Sequence, residues 1–167
     1  MMRSKVIALA VVAMAAPVSG AATARAQGLV TAHRIPAVLA NEIVAGAVEA
    51  CAKMGHAVTA VVIDIDGVRQ AVLRGDGASI HTFDSSYMKA YTAATYRTDT
   101  IDLVERTKGQ VSNLQTRLPN VVMAQGGVII KAGNEAIGAV GVGGGPGASI
   151  DTTCARAGVA KVQDRLK

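Results

Sequence analysis

The side chains best suited to chemistry are gathered in one stretch of the chain. All four aromatic residues fall between Phe83 and Tyr96, and His81 stands just upstream. Phe83, Tyr87 and Tyr91 recur every four residues, a spacing that puts them on one face of a helix. Such a stripe could carry a flat, metal-containing ligand of the porphyrin type, with His81 as axial imidazole or a tyrosine as phenolate. The same rings could instead cover a sheet as ordinary packing. Arg74, Lys89 and Arg97 are nearby cations for any carboxylates on a ligand.

Other polar residues give weaker signals. His33 and His56 are isolated, and the three histidines show no metal-binding spacing such as H-x-x-x-H. Asp64 sits in an apolar run, so it either faces solvent or is a buried, hydrogen-bonded acid. Asp76 between glycines reads first as a turn former and second as an acid-base group. Residues 141–147 (GVGGGPG) lack the Lys-Ser/Thr of a phosphate loop. A helix starting there could still hold a carboxylate at its N-terminus. Cys51 and Cys154 permit a disulfide in an oxidising compartment, and two buried thiols are the alternative.

These residues need elements to position them. Ile35, Leu39, Ile43, Ala47 and Cys51 also recur every four residues, with Pro36 early and Gly55 late, as in an amphipathic helix. Residues 57–65 (AVTAVVIDI) and 68–74 (VRQAVLR) read as strands joined at Asp66-Gly67. Helices are expected over 83–96, 100–108 and, before Pro119, 111–118. Strands return at 120–124, 128–131 and 136–142, with turns at Gly126-Gly127 and Gly133-Asn134, before a closing helix over 151–166. The expected order is α-β-β-α-α-β-β-β-α. Hairpin-length links make this an α+β fold, a five-stranded antiparallel sheet with flanking helices. We expect the first and last helices to lie side by side on the sheet, bringing Cys51 near Cys154.

The N-terminus has a different composition from the rest. Arg3 and Lys5 precede an uncharged apolar run from Val6 to Val18, and Ala24-Arg25-Ala26 has the A-x-A form of a signal-peptidase site. The run falls short of the ~20 residues that span a bilayer. The expectation is a signal peptide over 1–26, one domain over 27–167, and a periplasmic or secreted location. The full chain carries 17 basic and 12 acidic residues; without Arg3, Lys5 and Arg25 the balance is 14 against 12, or +2. That balance gives no reason to expect nucleic acid or stable membrane insertion. With no Trp, one Phe and three Tyr, the core must be built from small aliphatic residues. A large flat ligand then sits at a surface or between subunits.

Several segments carry a family resemblance. Residues 58–67 (VTAVVIDIDG) and 74–78 (RGDGA) are similar to the strand-turn-strand and R-x-DGA signature of the GlcG/HbpS-like haem-binding, haem-degrading family. Residues 89–93 (KAYTA) resemble its K-A-x-T-A helix motif, while 126–130 (GGVII) and 136–142 (AIGAVGV) resemble its GG-x-P-I and IGAIGV segments. Asp151 with 155–158 (ARAG) resembles its closing helix, so the likeness spans residues 37–163. Three positions depart from the pattern. Gly75 stands where Met is frequent, Ile129 replaces the proline, and Gly143 stands where Ser is common. Fold therefore transfers more readily than ligand chemistry.

The resemblance implies a profilin- or roadblock-like fold, a homo-oligomer, and haem as cofactor. With haem as the ligand, the aromatic segment makes His81 the expected metal ligand, with Phe83, Tyr87 and Tyr91 as ring cover. Arg74, Lys89 or the 141–147 loop would then hold the propionates. The implied role is an exported haem-binding protein that degrades, stores or senses haem. The alternative is a haem-independent enzyme acting on a small organic acid or metabolite in a catabolic pathway. No catalytic residue is assigned.

Overall fold

The amphipathic pattern of the first segment forms α1, Ala37–Lys53, with Pro36 as its extended N-cap. Gly55, at a φ of 79°, turns the chain after it. The computed structural model describes residues 28–107 and 117–167, and Thr31–Lys167 forms one compact unit. After α1 come β1 (Thr59–Asp64), β2 (Arg69–Arg74), α2 (Thr82–Tyr96), α3 (Thr100–Arg106), β3 (Gly127–Ala132), β4 (Glu135–Gly143) and α4 (Ala148–Ala160). A short 3-10 turn, Gln163–Arg165, follows.

The strands form one antiparallel sheet in the order β2-β1-β4-β3. Period-2 alternation divides β1 between two cores. Ala60 and Val62 face α1 and α4, while Val61 and Ile63 face α2. Every residue of β1 is buried. This explains its continuous apolar run, since a strand covered on both faces needs no polar side.

Five strands were expected, and four are found among the described residues. Residues 121–124 form no strand, so Gly126-Gly127 is not a hairpin turn and the order runs α-β-β-α-α-β-β-α. The place a fifth strand would take beside β3 is already filled. The Ile129 N–H donates to Asp99 Oδ1 at 3.0 Å and the Gly127 N–H to Thr100 Oγ1 at 2.9 Å. The start of α3 thus closes that edge with side chains, which protects it as another strand would. The Val122 N–H turns instead to Thr92 Oγ1 of α2 at 2.9 Å. Residues 111–116 of the expected short helix lie outside the described residues, as do 1–27. The closing helix starts three residues earlier than expected, at Ala148.

α1 and α4 lie side by side on one face. A disulfide joins Cys51 to Cys154 with Cα atoms 5.5 Å apart, and both residues are fully buried. Outside this seam, Lys161 and then Lys53 hold the exposed Glu49 carboxyl down to about 2. On the other face α2 sits unusually deep. A Cβ at Gly141 would overlap the Ser86 carbonyl oxygen and lie 2.6 Å from the Ala90 nitrogen, and one at Gly127 would overlap the Lys89 carbonyl. These glycines set the height of the helix that carries the candidate site residues.

Candidate functional site

The turn before α2 is rigidly tied. The Gly75 N–H donates to the Val58 carbonyl at 2.8 Å. Arg74 donates from Nε to the Ala78 carbonyl at 2.7 Å and from Nη2 to the same oxygen. Thr82 shares a 2.7 Å hydroxyl bond with Thr59 and donates to the Ser79 carbonyl at 2.6 Å. His81 lies between these anchors, at the N-cap of α2, with an exposed side chain that makes no capping bond. Its ring has no hydrogen-bond partner among the described residues. Ile80 (86 % exposed) and Phe83 (43 % exposed) flank it.

The aromatic stripe divides along its length. Tyr87 and Tyr91 touch, with ring centroids 5.8 Å apart. Both are drawn to the β1–β2 turn, at the opposite end of β1 from Thr59. The Tyr87 hydroxyl donates to the Gly67 carbonyl at 3.2 Å, and Arg69 stacks 3.6 Å over its ring. Tyr91 lies against Gly67. The two rings pack on the Val61 and Ile63 side of the core, so they do the covering work that the sequence left open. Phe83 stays with His81.

Lys89 goes elsewhere again. At ~100° per residue, two positions along a helix is most of the way to the opposite side, so Lys89 does not share the face of Tyr87 and Tyr91. It points into the protein, where Nζ donates to Asp151 Oδ2 at 2.6 Å and to the Val142 carbonyl at 3.0 Å. The Gly145 N–H donates to Asp151 Oδ1 at 2.8 Å. The carboxylate held by the loop before α4 is therefore the chain's own. Spacing gave no sign of this pair, whose members are 62 residues apart.

Arg74 is exposed and lines an open cleft of about 500 Å³, between the end of α1 and the end of β2, together with His56 and Asp76. This cleft, assembled from two separate segments, 48–58 and 73–76, was not legible in either of them. Asp64 is the buried, hydrogen-bonded acid of the two alternatives. Its Oδ1 accepts from the Asp66 and Val68 N–H groups at 3.0 and 2.9 Å, and its Oδ2 from Arg34 at 3.0 Å. His33 pairs with exposed Glu135 at 2.6 Å, at the far end of the sheet from His81. Among the described residues no group of three or more His, Cys, Asp and Glu side chains could hold a metal ion. No helix among them is long and apolar enough to cross a membrane.

The structure thus brings His81, Phe83 and Arg74 to one end of the sheet, with Tyr87 and Tyr91 turned to the other end and Lys89 turned inward. Fold and site together define a small three-layer α+β domain whose polar groups of interest lie on its surface rather than in an enclosed cavity. The chain belongs to the HbpS-like family of haem degrading proteins, whose family model matches residues 35–160. It is similar to a double mutant of HbpS from Streptomyces reticuli, at 32% identity over 89% of this chain and 98% of that one, with a TM-score of 0.76. The protein ORFY of Klebsiella pneumoniae shares the fold at 23% identity, covering 81% of this chain and 95% of that one, with a TM-score of 0.73. So does PduOC, solved as a haem complex, at 22% identity, 77% and 94% coverage and a TM-score of 0.70. No curated protein matches the chain significantly.

Proposed function

We propose that this protein binds haem at the sheet end built from residues 74–83, with His81 as the axial donor. The observation that carries this reading is the exposed His81 imidazole, unpartnered among the described residues and flanked by exposed Ile80 and Phe83. An imidazole, apolar cover and a guanidinium are the donor set a surface-seated porphyrin requires. Arg74, one strand end away, serves the propionates; Lys89 is already neutralised by Asp151. Family membership and the haem-bound PduOC structure, similar in fold, favour haem over another flat ligand. When bound, haem supplies the iron at which oxidative degradation, or simple storage and sensing, takes place.

The test is a haem titration followed by Soret absorbance. His81→Ala is expected to weaken binding about tenfold or more and to shift the band, as loss of an iron ligand does. His33→Ala and His56→Ala should leave the spectrum nearly unchanged. Tyr87→Phe with a shifted band would move the axial role to a phenolate. A second reading, a haem-independent enzyme for a small organic acid or metabolite, is favoured by the cleft holding His56, Arg74 and Asp76. It takes over if the wild-type protein shows no saturable Soret change.

The proposal includes export to the periplasm or beyond. The basic, apolar and A-x-A succession supports it, as does the Cys51–Cys154 disulfide, a bond rare in reducing compartments. Intact mass of the exported protein should begin at Gln27; exported material starting at Met1 would remove this part. A homo-oligomer also belongs here, since exposed Ile80 and Phe83 suit cover by a second copy as well as by a ligand.

A further inference from the structure

The cleft beside Arg74 has a composition that the haem reading does not use. Its volume, about 500 Å³, falls within the ~300–1,000 Å³ of small-molecule sites. Val48 and Ala52 of α1 and Leu73 of β2 line it as apolar surface. Arg74 and Asp76 line it as opposite charges. The two are neighbours but one in the chain, yet no ion pair forms between them, and neither has a carboxylate or cationic partner elsewhere among the described residues. The surface charges of the neighbouring α1 are matched: Lys53 and Lys161 both pair with Glu49.

An unpaired cation and an unpaired carboxylate beside one apolar surface complement a ligand that carries both charges and an apolar tail. We infer that this cleft binds a small zwitterion, an α-amino acid with a short apolar side chain. Its carboxylate would meet Arg74, its ammonium Asp76, and its side chain Val48, Ala52 and Leu73. Arg74 is suited to this because its Nε and Nη2 are held by the Ala78 carbonyl. The guanidinium is thereby oriented, with donors left over for a carboxylate. A plain carboxylic acid would leave Asp76 facing a like charge, and a plain amine would do the same at Arg74. His56, half-buried on the wall, adds a ring nitrogen that can donate or accept. This inference goes beyond the haem reading, shares the 74–76 segment with it, and makes no use of His81.

Calorimetric titration of the folded protein with leucine, isocaproate and isoamylamine tests it. The last two are leucine without its ammonium and without its carboxylate. Saturable leucine binding is expected, with each half-ligand about tenfold weaker or worse. Asp76→Asn should erase the preference of leucine over isocaproate. Ala52→Phe, placed at an exposed position of α1, should fill the cleft and abolish binding while the melting temperature holds. His81→Ala should leave the leucine titration unchanged, which separates this site from the haem reading. The inference is overturned if leucine gives no saturable heat, if isocaproate binds as tightly as leucine, or if Ala52→Phe binds leucine normally.

Discussion

Replacing Cys51 and Cys154 together by alanine is expected to lower folding stability by about 4 kcal/mol and the melting temperature by roughly 15 °C. The bond joins residues 103 apart in sequence. In the chain-entropy account, closing a loop of ~100 residues removes about 4–5 kcal/mol worth of disorder from the unfolded chain. Both sulfur atoms sit in the α1–α4 seam, so the alanines also leave small voids in that core. Thermal and urea unfolding of oxidised, reduced and double-alanine protein measure the effect. Reduced wild type should fall close to the alanine variant. Equal melting of the oxidised and reduced forms would show that the seam, not the bond, holds α1 to α4. The cleft is a second readout: Val48 and Ala52 of its wall stand on either side of Cys51 along α1.

Asp151→Ala is expected to cost about 3–5 kcal/mol, the penalty for leaving a buried charge without its counter-ion. Lys89 and Asp151 keep only 10% and 4% of their side-chain surface, so water cannot substitute for the lost carboxylate. The substitution also frees the Gly145 N–H, which holds the loop between β4 and α4. Lys89→Met in the same background should recover most of the loss, because the orphaned ammonium goes with it. The full double-mutant cycle in urea separates the pair from its parts. If the double variant is no more stable than Asp151→Ala alone, the cost lies in the Gly145 loop and not in the ion pair.

Both effects depend on residues that the sequence marked without saying what they do. Cys51 was placed on the apolar side of a helix by four-residue periodicity, but a buried thiol satisfies that pattern as well as a disulfide. Lys89 was seen as a cation among rings. The spacing of Tyr87 and Tyr91 rightly made them neighbours, and the rings do meet. What spacing could not tell was where each side of the helix would point. α2 is held against Gly127 and Gly141 at a depth that leaves Lys89 facing Asp151 and the tyrosines facing Gly67. Residues 120–124 failed as a strand for a related reason. Their β-branched run is suited to a strand, but a strand also needs an open edge, and Asp99 and Thr100 had taken it.

What the chain determines by itself is local and periodic: the length and apolar side of α1, the β1–β2 hairpin around Asp66-Gly67, α2 and the antiparallel α+β character of the fold. These follow from side-chain repeat and turn chemistry over a dozen residues or so, which the backbone cannot evade. The family was legible too, because its motifs are short and ordered along the chain. Tertiary structure alone decided the partners: Cys51 with Cys154, Lys89 with Asp151, Asp99 with Ile129, and His56, Arg74 and Asp76 around one cleft. The physical reason is that hydrogen bonds, ion pairs and cavity walls form between segments far apart in sequence. Which group meets which is then set by how helices seat on a sheet, a matter of packing that no single segment encodes.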